Sequence, residues 1–122
     1  GAMKLLPLEE YMRVVQEFYQ NPQASVHGWE SAEHARERMK VAVGDVMRAH
    51  AGEVVVIIGH GATGALLACE VKKIPSSFEE DPKRTGCVMQ IDWEQQTIIS
   101  PWESYAEKHQ ESLREAAKIR PR

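Results

Sequence analysis

The sequence predicts an α/β layered domain in which a small sheet, about three strands per chain, is flanked by helices. Three observations predict it. The run Val54–Ile58 is continuously apolar and β-branched, and it leads through Gly59-His60-Gly61 into a stretch of small and apolar residues. Two stretches before it repeat their apolar residues at the helical spacing of three and four. After it, two strand-like runs flank Glu94-Gln95-Gln96, most simply as an antiparallel hairpin.

The first helix is predicted in "PLEEYMRVVQEFYQNP", with Leu8, Tyr11, Met12, Val15, Phe18 and Tyr19 on its apolar face. Pro7 is tolerated in its first turn and Pro22 lies beyond its end. After the connector "QASVHGW", Ser31 caps a second helix, with Ala35, Met39, Ala42, Val46 and Met47 facing inward and a close at His50–Gly52. Val54–Ile58 lacks alternation, the pattern of a strand covered on both faces. A third helix follows Gly61 and lasts to about Lys73. "IPSSFEEDPKRTG" has the composition of a loop, "EEDPKR" being its solvated turn. "CVMQIDW" and "TIIS" are the hairpin strands, and a polar helix from Ser104 carries Tyr105, Leu113, Ala117 and Ile119 on one side. Trp29, Trp93 and Trp102 read as packing residues.

This order has a gap. A strand apolar on both faces needs neighbours on both edges, yet the hairpin adds only two strands where sheets usually have about five. The pattern predicts that another chain supplies the missing neighbour or that the fold is a remnant. An unpaired apolar edge invites a second copy, so a homodimer completed by sheet extension or exchanged elements is expected.

Composition narrows the function classes. The 122 residues suit one small domain, long enough to need neither disulfides nor a structural metal. With 15 basic and 18 acidic residues and a formal charge of −3, the surface has no field for nucleic acid. The basic end "KIRPR" reads as a solvated tail. No apolar run approaches the roughly 20 residues of a membrane span. Cys69 and Cys87 show no metal spacing and read as reduced thiols, which predicts a cytoplasmic protein without cofactor. Gly1 and Ala2 read as a cloning remnant before Met3, leaving a domain over 3–103 and a C-terminal helix and tail over 104–122.

The Gly-His-Gly turn admits three readings. In the plainest, His60 is a satisfied turn histidine and the glycines serve backbone geometry. In the second, Gly59, Gly61 and Gly64 are a dinucleotide fingerprint, G-x-G-x-x-G between strand and helix. That unit needs a second parallel strand soon after the helix, where this chain has a loop. In the third, the turn is a phosphate site. The helix start offers the N–H groups of Gly61, Ala62 and Thr63 and a partial positive charge. His60 donates a hydrogen bond to the anion, and Thr63 can add a hydroxyl.

"EVVVIIGHGATGALLACEV" resembles the second catalytic-histidine motif of the histidine phosphatase (phosphoglycerate mutase-like) superfamily. "GWESAEHARERM" is similar to that family's Gly-Glu-Ser segment and following helix, here with Glu30, Ser31 and Arg38. "TGCVMQIDWEQQTIISPW" resembles its closing hairpin, and the likeness covers roughly residues 6–102. The resemblance implies phosphoryl transfer through a phosphohistidine, with His60 as the second histidine that steadies the phosphoryl group. It places Glu30 and Arg38 behind the phosphate site as supports.

One departure dominates. The family's nucleophile is the histidine of an Arg-His-Gly motif, and this chain contains no such tripeptide. The other histidines, His27, His34, His50 and His109, follow no arginine. The resemblance therefore implies the C-terminal half only: a catalytically inactive phosphatase-like domain that binds phosphate or a phosphomonoester weakly or acts through an interface. The alternatives are an active phosphatase or mutase whose first half comes from upstream or in trans, and a dinucleotide module.

Overall fold

The computed structural model describes residues 7–107, 109, 110, 113 and 114. The chain falls into two compact units, Gly1–Asp81 and Pro82–Arg122. The first unit is helical. It holds α1 (Leu8–Gln20), α2 (Ala32–Ala49), α3 (Gly61–Lys72) and a single 3₁₀ turn, Phe78–Glu80.

Each helix has a local cause. Pro7 stands at the N-cap of α1 with φ −53°, and Glu9 and Glu10 in the first turn complement the helix dipole. At α2 the Ser31 hydroxyl accepts the His34 N–H at 3.1 Å, the capping bond expected from the sequence. α3 ends in a Schellman motif: Lys73 is left-handed at φ 58°, and the Ile74 N–H donates to the Cys69 carbonyl at 3.1 Å.

The core forms where these helices meet. Val15, Phe18 and Tyr19 of α1, Ala32 and Ala35 of α2, and Ala65 and Leu66 of α3 make one buried cluster, with Trp29 and Phe78 packed on it. Phe18 stands edge-on to Tyr19 and to Trp29, with centroids 5.2 and 6.1 Å apart. α3 is buried along nearly its whole length, from Ala65 to Cys69 and again at Val71. Small side chains on α2 and α3 let the two helices approach closely.

Two faces differ from the sequence expectation. On α2 the buried residues are Ala32, Ala35, Val43 and Gly44, while Ala42 and Val46 are exposed. The stripe is rotated by about one residue, because α3 packs on the narrow Ala32–Ala35 side. On α1, Leu8 and Tyr11 are exposed, since the cluster covers only the C-terminal half of that helix. The "EEDPKR" loop is also less solvated than its composition implies. Glu80 pairs with Lys72 at 2.8 Å, and the Tyr19 hydroxyl donates to Asp81 at 3.4 Å.

The largest correction concerns Val54–Ile58. No strand forms there, and Val54, Val56 and Ile58 are 98, 83 and 94% exposed. A strand exists only through a ladder, and among the described residues nothing pairs with this one. The α/β class stands, with a sheet of two strands where about three were expected.

The second unit holds that sheet, β1 (Cys87–Asp92) paired antiparallel with β2 (Thr97–Ser104). Asp92 accepts the Gln95 N–H at 2.9 Å, and Gln96 adopts φ 53° to close the turn. The register slips twice between Val88↔Glu103 and Ile91↔Ile98, giving β2 two extra residues. Pro101 lies in the slip between Val88↔Glu103 and Gln90↔Ser100, where its missing donor costs no ladder bond. The expected C-terminal helix is helical at 105–107, 109, 110, 113 and 114, and Ala117 and Ile119 lie outside the described residues.

Candidate functional site

His60 is the N-cap residue of α3, extended at φ −98° and ψ 160°. Its carbonyl accepts the Gly64 N–H at 2.9 Å, so the helix begins at Gly61. The side chain makes no capping bond and is exposed, and no described residue engages the ring. The N–H groups of Gly61, Ala62 and Thr63 are the helix donors left without an intrahelical acceptor. An imidazole and three N–H groups therefore occupy one helix end, an arrangement suited to a small anion.

Thr63 plays a different part from the one expected of its hydroxyl. Oγ1 donates to the His60 carbonyl at 3.0 Å. A hydroxyl has one proton, so this bond withholds it from a ligand, and the contribution of Thr63 reduces to its backbone N–H. Gly59 is not required by conformation, since its φ is not positive, and an added Cβ would meet Thr63 Oγ1 at an ordinary 3.5 Å.

Glu30 and Arg38 are brought together at the start of α2. Arg38 donates from Nε and Nη2 to the two carboxylate oxygens, at 3.0 and 2.9 Å. His34 Nδ1 also meets Glu30. The Arg38 hydrogen bonds hold the Glu30 carboxyl below the usual carboxylate range against the opposing effect of burial, with His34 lowering it further by a lesser amount. This bidentate pair occupies the fork of the guanidinium, and the structure shows no bond from it to His60. The remaining histidines serve elsewhere: His50 pairs with Glu53 at 2.7 Å, His109 stacks on Tyr105, and His27 sits in a turn at φ 54°.

Sequence reasoning missed Arg36. From α2 it donates to Glu70 at 2.7 Å, to the Ile74 carbonyl at 2.7 Å, to the Cys69 carbonyl at 3.2 Å and to Ser76 Oγ at 3.3 Å. It thereby completes the C-terminal end of α3. A cavity of 390 Å³ beside it is lined by Glu33, Glu37, Glu70 and Ser76 among others, at the opposite end of α3 from His60. Three carboxylates around one already paired arginine do not suit a phosphate. A signal existed in the sequence, because Arg36 shares the apolar side of α2 with Ala32, Ala35 and Val43.

Among the described residues no group of His, Cys, Asp and Glu could hold a metal ion, and no helix is long and apolar enough to cross a membrane. The parallel strand of a dinucleotide unit is also missing among them, since the hairpin after α3 is antiparallel. Compared with known proteins, the chain matches the family model described as the histidine phosphatase superfamily (branch 1) over residues 6–105. No curated protein and no solved structure matches it significantly.

Proposed function

Because the chain belongs to the histidine phosphatase superfamily (branch 1), we propose that its 122 residues carry the second-histidine phosphate site of such a protein and bind phosphate weakly without turnover. One observation carries this reading: the His60 ring is exposed and unengaged at the N-terminus of α3. In its protonated form the imidazole donates to a phosphate oxygen, and the N–H groups of Gly61, Ala62 and Thr63 take the others. Glu30 holds Arg38 away from this role, as a support for the α2 entry.

The magnitudes set the affinity. A charge-assisted hydrogen bond contributes about 1.5–3 kcal/mol and a helix terminus about 0.3–1 kcal/mol. Together they correspond to dissociation constants of roughly millimolar or weaker. Covalent phosphoryl transfer further needs a nucleophilic histidine, and no Arg-His-Gly occurs in the 122 residues. One imidazole beside a helix end steadies charge but does not supply the two-step route. Titration of phosphate against the His60 ring resonances tests the site; no shift up to tens of millimolar contradicts it.

A second reading is favoured by the exposed Val54–Ile58 run. Four of its five β-branched residues are exposed to water, a segment awaiting neighbours, and strands from another polypeptide would cover them. The occupant we propose is a second copy, in a homodimer built by sheet extension; a monomer in sedimentation at micromolar concentration contradicts it. If the neighbour instead brings an Arg-His-Gly strand, phosphatase or mutase activity follows, and a complemented mixture that stays inactive removes that alternative. The free thiols Cys69 and Cys87 support a cytoplasmic, reducing location.

A further inference from the structure

We draw no further inference here: the strongest candidate, the exposed apolar run Val54–Ile58 leading into α3, belongs to the association already proposed, and nothing in the structure shows which segment covers it.

Discussion

Arg36 on α2 and Glu70 on α3 form a partly buried ion pair, Nε to Oε2 at 2.7 Å, with side chains 18 and 20% exposed. The same guanidinium takes two carbonyls at the end of α3, so a single side chain ties the helices and finishes one of them. The helix that carries His60 is thus fixed at its far end by charge and along its length by Ala65–Cys69. Its near end is left open.

Arg36→Ala leaves Glu70 without its guanidinium and the Cys69 and Ile74 carbonyls without their side-chain donor. The expected cost is roughly 2–3 kcal/mol in chemical denaturation. Arg36→Lys recovers only part of it, because an ammonium cannot reproduce the planar fork. Equal stabilities for the two variants would contradict this role.

The same pair sets an acid limit. Arg36 holds the Glu70 carboxyl below the usual range, with burial partly opposing. A folded value below the unfolded one means that the stability is present above the ordinary carboxylate range and is lost as pH falls through the lowered value. Glu70→Gln is expected to flatten the acid limb of a stability–pH curve while lowering the plateau at neutral pH.

Tyr19 sets an alkaline limit. Burial, and then the Asp81 carboxylate, raise its hydroxyl well above the ordinary value of 10.0. Here the folded value exceeds the unfolded one, so stability is complete below about pH 10 and falls as pH rises beyond it. Tyr19→Phe removes that fall at little cost near neutrality, since the bond to Asp81 is long at 3.4 Å. Alkaline unfolding followed by circular dichroism checks it.

Packing separates the two apolar segments. Leu66 is fully buried and Val56 is 83% exposed. Leu66→Ala is expected to cost roughly 2–5 kcal/mol. Val56→Thr is expected to lie within about 0.5 kcal/mol while reducing self-association, measured by sedimentation of the same samples. A Val56→Thr chain as destabilised as Leu66→Ala would show that the run is buried in the folded protein.

What was legible in the sequence was local. The Ser31 cap, the spacing of Val15, Phe18 and Tyr19, the start of α3 at Gly61 and the hairpin turn each follow from a few neighbouring residues. The family was legible too, because several motifs in order are more specific than Gly-His-Gly alone. What failed depended on distant partners. The rotation of the α2 face is decided by α3, and Arg36 reaches residues more than thirty positions away. Val54–Ile58 has every local feature of a strand, but a ladder is a property of two segments. At the site, the sequence placed His60 at a helix start, as observed, whereas the direction of the Thr63 hydroxyl was fixed by the His60 carbonyl.

Under the proposed function, His60 marks a phosphate-binding helix end without a nucleophile. Hydrolysis of para-nitrophenyl phosphate by the purified chain and by His60→Ala tests it most directly, with phosphate binding measured on the same samples. No turnover is expected in either protein, with weak phosphate binding that disappears in His60→Ala. Turnover by the parent chain that is abolished by His60→Ala would contradict it.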